Sequence, residues 1–258
     1  MTLEQDGATC LLLGSFISLD ILACASTRST PILEIDHIQV LTRLGITTGR
    51  IIGCQNSVMA LIYEIILLEN WKVESQANHT LSIVELAKRG THIEHRLRQQ
   101  LANLDSTKSI PQRASFSPMV QSIPSQITAT KAYALAAIAY LHIVISGPHP
   151  ELPEIARAVS DAVTLFRSAQ DDPKLLLNII WPLCVVGSMV IESQQTFFRQ
   201  LPAFFAQNTA DGGSLPLKST LLEALKIMEQ CWHARKTLQV DCDWASIMDQ
   251  TNCHVLLR

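Results

Sequence analysis

His92 and His95, three residues apart, and a C-terminal group of Cys231, His233, Cys242, Cys253 and His254 are the side chains whose types suit metal ligation. A structural zinc ion needs four Cys or His ligands, usually delivered as short-spaced pairs such as C-x2-C, because its tetrahedral shell must be closed from two turns. No such pair occurs, so these thiols read as small hydrophobes and the imidazoles as surface groups. Nucleophilic chemistry finds no better footing. Gly187-Ser188 sits in an apolar helical run and not on a strand-to-helix elbow. Gly53-Cys54 has no sequence neighbour that would lower a thiol pKa. Glycine-rich phosphate loops are absent, and Asp171-Asp172 before Pro173 reads as a helix cap. The residues therefore assign no catalytic, cofactor-binding, metal or DNA-binding position, no cofactor and no enzymatic activity.

The elements that would have to position any site are helices, because apolar residues recur at helical spacing and period-two alternation is hard to find. The expected fold class is all-α, a multi-helix globular domain. A first helix spans about Ala8 to Ala25 and yields to "STRSTP"; a second runs from about Gln55 to Trp71 with Val58, Ile62, Ile65 and Ile66 on one stripe. Ser82-Ile-Val-Glu85 has the form of a capping box. From it Leu86, Gly90, Ile93, Leu97, Leu101 and Leu104 form a seam suited to an intramolecular helix partner. Lys88, Arg89, Arg96 and Arg98 alternate with Glu85 and Glu94 in i,i+4 pairs, which reads as a solvated face.

Composition changes to Ser, Pro, Gln and Lys over 105–126, the signature of a mobile loop, where Ser117-Pro118 has the form of a phosphorylation site but is read first as plain solvated chain. A single α-helical domain over 1–258 is thus expected, with an N-terminal half 1–104, this loop, and a C-terminal half 127–258. In the second half, Ile127 to Ser146 is apolar all round and stops at Gly147-Pro148-His149-Pro150. Pro153 and Pro173 open the next helices from first-turn positions. "LLLNIIWPLCVVGSMVIES", Leu175 to Ser193, carries Pro182 inside its apolar run, so one backbone hydrogen bond should be lost and the helix should kink or restart near Trp181. A Gly-rich turn at Asp211-Gly212-Gly213, a helix over about Leu217 to Leu238 and a short helix from about Asp243 complete the chain.

Apolar residues make up 48% and charged residues 17% of the 258 residues, a scarcity of charge that leaves apolar surface for a partner. A net charge of −3 argues against nucleic-acid binding by this chain, which needs concentrated Lys and Arg. Seven scattered cysteines, an odd number, favour a reducing compartment. The apolar "CLLLGSFISLDILACA" lacks the basic leader of a secretory signal, since Glu4 and Asp6 precede it and Asp20 interrupts it. Asp20, His142 and Trp181-Pro182 break the three apolar runs, so no membrane span is expected.

Five segments taken in order carry a resemblance: "SFISLDILACASTRSTPIL" (Ser15 to Leu33), "IIGCQNSVMALIYEIILLENWK" (Ile51 to Lys72), "AYALAAIAYLHIVISGPHPELPEI" (Ala132 to Ile155), "IIWPLCVVGSMV" (Ile179 to Val190) and "EQCWHARKTLQVDCDWASIMD" (Glu229 to Asp249). With Trp71, Trp181, Trp232 and Trp244 in place, the chain resembles the regulatory domain of fungal zinc-binuclear-cluster transcription factors, in the class called fungal-specific transcription factor domain 2. The resemblance implies a helical regulatory domain that lies C-terminal to a DNA-binding module and acts in the nucleus on RNA polymerase II genes, often those of metabolism or secondary-metabolite clusters. That family's six-cysteine run, C-x2-C-x6-C twice over, does not occur here, so no zinc-ligand or DNA-contact residue is carried over. The expected function is transcription regulation through protein contacts without a DNA-binding module of its own, with related regulators as homo- or heterodimer partners. The alternative is a stand-alone helical protein binding a hydrophobic metabolite, an accessory protein of a biosynthetic cluster.

Overall fold

The computed structural model describes residues 7–33, 35–43, 48–106, 123–208, 215–238, 242–252 and 257. Among them there is no strand; eleven α-helices follow one another: α1 (Gly7–Thr27), α2 (His37–Arg43), α3 (Asn56–Ala77), α4 (Ile83–Ser106), α5 (Ile123–Ser146), α6 (Pro153–Ser168), α7 (Pro173–Asn178), α8 (Ile180–Ser188), α9 (Glu192–Asn208), α10 (Leu215–His233) and α11 (Trp244–Thr251). A 3-10 turn at Thr48–Arg50 precedes α3. The all-α expectation holds.

At the centre lies α5, packed by α3, α4, α6, α7 and α8. Its sequence explains the position. Ala129, Ala132, Ala134, Ala136, Ala137 and Ala139 are buried and short, so neighbouring backbones approach closely, while Tyr133 and Tyr140 fill the gaps between them. The segment Pro124–Ser146 is long and apolar enough to cross a membrane, contrary to the expectation that His142 would interrupt it. Most of it is buried by the surrounding helices.

The seam read on α4 faces inward as expected: Leu86, Gly90, Ile93, Leu97 and Leu104 are buried against α3 and α5. Its capping box is half formed. Ser82 Oγ accepts from Glu85 N at 3.3 Å, whereas the Glu85 carboxylate turns to Arg89 Nε at 2.7 Å. The second i,i+4 pair, Glu94 with Arg98, forms at 2.6 Å. The linker expected over 105–126 is shorter at both ends, because α4 continues through Ser106 and α5 begins at Ile123. Asp105 pairs with Lys131 across that junction, and Pro124 sits in a first turn that tolerates it. Residues 107–122, with the mobility expected there and Ser117-Pro118, lie outside the described residues, as does the turn at Asp211-Gly212-Gly213.

Helix boundaries follow local chemistry. Gly147 at φ +93° ends α5, its amide bonded to Ile143 O at 2.9 Å. Asp172 caps α7 by accepting from Leu175 N at 3.0 Å, and Asp243 caps α11 by accepting from Ser246 N at 2.9 Å. The α conformation of α10 gives way at Ala234–Leu238 to a π-helical turn.

Of the two forms expected of the break at Pro182, a kink or a restart near Trp181, the structure takes the restart. The chain leaves helical geometry at Ile179 (φ −117°, ψ 33°) and restarts as α8, so Pro182 falls in a first turn. Amides of a first turn have no intrahelical acceptor, and the first helical bond of α8 is Leu183 N to Ile179 O at 2.9 Å. The expected loss of a backbone hydrogen bond therefore does not occur, because the restart puts the missing N–H where none is needed.

Close approach of α8 to α10 depends on Gly187. A Cβ there would lie 2.0 Å from Met228 Sδ and 3.0 Å from Phe198 Cε1, both buried. Gly187→Ala is expected to cost about 1–3 kcal/mol of stability by overpacking, partly offset by the roughly 1 kcal/mol that alanine gains over glycine in a helix. Urea denaturation measures it. Combination with Met228→Ala should relieve the defect, and a Gly187→Ala protein as stable as the parent would refute the packing account.

Candidate functional site

Two features stand out once the apolar packing is set aside: a buried ionic clasp in the interior and an open groove on the surface. The clasp starts at the end of α1. Arg28 adopts φ +54°, a backbone conformation uncommon outside glycine, and projects its guanidinium between α3 and α11. Its Nε lies 2.8 Å from Glu69 Oε1 and its Nη1 2.6 Å from Asp243 Oδ2. These are close ion pairs whose angles fall short of aligned hydrogen bonds at Arg28 Nε and Asp243 Oδ2. Tyr140 on α5 donates its hydroxyl to Glu69 Oε2 at 2.5 Å, and Asp243 Oδ1 accepts from Ser246 N and Oγ at the start of α11. Trp244 covers the group: Arg28 lies 5.8 Å from its ring centroid, and its indole donates to Ser26 O at 2.9 Å. The guanidinium thus ties the end of α1 to α3 and α11, and Tyr140 adds α5 through Glu69.

Electrostatics follow from burial. Desolvation raises the Glu69 carboxyl above its ordinary range, with Arg28 as the main opposing influence. Burial opposes the charge on Arg28, but Asp243 and then Glu69 outweigh it and keep the guanidinium protonated. Burial also pushes the Tyr140 phenol far up, so it stays a donor. Lys72 nearby donates to Val144 O at 2.6 Å, capping a carbonyl in the last turn of α5.

A second interior polar group fixes the chain after α1. Asp20 accepts from Ile32 N at 3.0 Å and Leu33 N at 3.2 Å, and its Oδ2 lies 2.7 Å from His37 Nε2. His37 stacks on Tyr63 at 4.4 Å and places Nδ1 2.9 Å from Ile35 O. The interior aromatic line continues from Trp244 to Tyr140 (5.5 Å), Trp181 (6.3 Å) and Tyr133 (5.8 Å). Trp181 is fully buried and its Nε1 has no hydrogen-bond partner.

The residues weighed for chemistry are dispersed. His92 and His95 lie exposed on α4 and His233 on α10, while Cys231 and Cys242 are buried beside each other, with Cys242 Sγ 3.7 Å from Cys231 O. Cys253 and His254 lie outside the described residues. Among the described residues no three His, Cys, Asp or Glu side chains gather to hold a metal ion. Burial pushes the thiols of Cys54 and Cys184 well up and that of Cys24 to about 11; Cys231 is raised first by its contact with Cys242 and then by burial. Thiols held protonated in this way are poor nucleophiles. Ser188, buried on α8, spends its hydroxyl on Val185 O at 2.8 Å.

On the surface, a groove of about 730 Å³ opens between α3 and α4, with Leu67, Leu68 and Ile93 below and Glu64, Glu85, Lys88, Arg89, His92 and His95 around it. A more polar concavity of about 590 Å³ lies near Trp232, where Arg199 faces both the indole (5.0 Å) and Glu229 (3.4 Å) and Lys236 pairs with Glu192 (3.0 Å).

Arg28 and Glu69 were not singled out by sequence reasoning, and Asp243 only as the start of a helix. The available signal was a carboxylate inside an apolar helix, which demands a buried partner; Glu69 in "IILLENW" is such a residue. Nothing local told that its partner would come from the turn "STRSTP".

The chain is similar over its whole length to the "Trichothecene biosynthesis transcription regulator TRI10" of Fusarium sporotrichioides, with 29% identity over 262 residues, 100% of this chain and 56% of the relative. It is 28% identical over 250 residues to the "ustiloxin B cluster transcription factor ustR" of Aspergillus flavus, covering 92% of this chain and 40% of the relative. A protein from Trichoderma arundinaceum, also named "Trichothecene biosynthesis transcription regulator TRI10", is 33% identical over 202 residues, 78% of this chain and 44% of the relative. The chain spans about half, or less, of the length of these relatives. No solved structure matches it. Trp181, Trp232 and Trp244 buried in one helical core with Trp71 packed against it, the five ordered segments around them, and a match over residues 2–257 to the family described as "Fungal specific transcription factor domain" lead to one conclusion: the chain belongs to that family.

Proposed function

We propose that this chain is the regulatory module of a fungal transcription regulator, acting in the nucleus on RNA polymerase II genes of metabolism or a secondary-metabolite cluster, and that it works through protein contacts and not by touching DNA. The observation that carries the reading is the family match over residues 2–257, together with relatives named as transcription regulators of biosynthetic clusters. The structure supports it in a negative and a positive way. The interior charges that surround Arg28 and Asp20 are spent on one another and on backbone groups. Apolar side chains meanwhile stand exposed on α3 and α4, at Leu67, Val73, Ile83 and Val84. The metabolite-carrier alternative draws less support, because Tyr133 and Tyr140 close on Trp181 and neither concavity described above is lined by Trp181 or Cys184.

The test fuses the chain to an unrelated DNA-binding domain above a reporter of intermediate basal expression in a filamentous fungus. A change in reporter output of about tenfold in either direction, abolished by unfolding substitutions in the core, is the expected result. An unchanged reporter with the fusion folded and nuclear would overturn the proposal.

A further inference from the structure

We propose that the groove between α3 and α4 docks a short amphipathic helix with acidic flanks, presented by a partner protein. The proposal rests on the reading that the chain works through protein contacts and adds the chemistry of the contact.

Shape comes first. The groove runs between Glu64, Leu67 and Leu68 on α3 and Glu85, Lys88, Arg89, His92 and His95 on α4. From Glu85 to His95 α4 advances about 15 Å, or three turns, the contact length of a helix laid in a groove. Leu68 and Ile93 are buried beneath it, while Leu67 is 43% exposed. Val84, 80% exposed, stands one turn before Lys88 on the same helix face and extends the apolar stripe. The groove is open along its side, which suits a helix better than an enclosed small molecule.

Charge selects the partner. Both rim acids are already neutralised: Glu64 by Arg96 at 2.5 Å and Glu85 by Arg89 at 2.7 Å, the latter guanidinium also held 4.2 Å from the Trp71 ring centroid. Among the described residues, the exposed Lys88, His92 and His95 make no ion pair or hydrogen bond. The rim thus offers one cation outside any close ion pair, and two imidazoles, beside apolar side chains. A basic helix would meet Lys88 unfavourably, and an acidic one would be met by it, since Arg89 and Arg96 are balanced by Glu85 and Glu64. A second copy fits less well, because a two-fold contact through this patch brings the same cationic rim against itself.

The experiment displays a library of helices of about 14 residues, long enough to cover the three turns of the groove. Apolar residues are randomised along one stripe, and the flanking positions are either acidic or basic. Selection is run on the whole chain and on Leu67→Glu/Lys88→Glu, both positions being surface residues whose replacement should leave the melting temperature unchanged. Acidic-flanked helices should be enriched on the parent. Individual winners should lose about tenfold in affinity on the double variant and weaken with added salt. Equal enrichment of basic-flanked helices, winners indifferent to the double variant, or a parent that sediments as a dimer burying α3 and α4 would each overturn the proposal. A silent reporter fusion alongside robust acidic-helix binding would instead defeat the regulatory reading and leave the groove assignment standing.

Discussion

Trp181→Ala should lower the unfolding free energy by about 3–5 kcal/mol, the range for removing a large buried aromatic. The indole is fully buried, stacks on Tyr133 at 5.8 Å and meets Tyr140 edge-on at 6.3 Å. Its removal leaves a void at the point where α5 and the restarted α8 meet, and α8 cannot slide in to fill it. Gly187 on the same helix already sits against Met228 and Phe198 with no room for a methyl group. The indole N–H has no acceptor, so truncation forfeits packing without releasing a hydrogen bond. Trp181→Phe, which keeps most of the ring contacts, should recover more than half of the loss. Urea denaturation monitored by far-ultraviolet circular dichroism measures both; an alanine variant of parental stability would remove Trp181 from the core.

Arg28→Met should cost about 3–5 kcal/mol, because it strands two buried carboxylates that the guanidinium now neutralises. Asp243 is fully buried and Glu69 nearly so. The defect should depend on pH. The Glu69 carboxyl is already held above its ordinary value of 4.5 by burial, with Arg28 the chief influence in the other direction. Without Arg28 its folded-state pKa rises further above the unfolded one. The folded variant then binds a proton that the unfolded chain has released, so stability falls as pH rises through the interval above 4.5. The variant should therefore be closest to the parent in mild acid and furthest from it near neutrality. Adding Glu69→Gln should restore part of the loss by removing one stranded charge. Arg28→Gly separates the side chain from the backbone, since glycine accepts φ +54° freely and relieves roughly 1 kcal/mol of strain while still losing the clasp. Variants of Arg28 with parental stability across this pH range would show that the ion pairs contribute nothing net.

Helix existence was legible because it is written in neighbouring residues. The seam from Leu86 to Leu104, the stop at Gly147, the cap at Asp172 and the helix start near Asp243 depend on side chains within a few positions of one another, and all take their expected places. The prolines show where local reading ends. A proline inside an apolar run announces a break, but whether it kinks a helix or opens a new one depends on the backbone before it. Here Ile179 departs from helical angles and Pro182 becomes a first-turn residue. The linker near residue 105 was read too long for a related reason: composition there is polar, yet Lys131 pairs with Asp105 across the junction.

What the sequence alone determined is the all-α class and the buried face of its most regular helix, α4, since these follow from an apolar period matched to the turn of a helix, whereas α2 and α9 were not read from it. Tertiary structure alone decided the partners of the isolated interior charges. Arg28 in a polar turn, Glu69 in an apolar helix and Asp243 at a helix start carry no local mark of one another, and Trp244 reaches Ser26 across 218 residues of chain. It also decided which rim charges of the α3–α4 groove are matched and which are left over. The physical reason is common to both: hydrophobic burial is non-directional and declares itself through local spacing, whereas an ion pair has meaning only when two specific groups, however distant in sequence, meet at a few ångströms in a medium too apolar to solvate either alone.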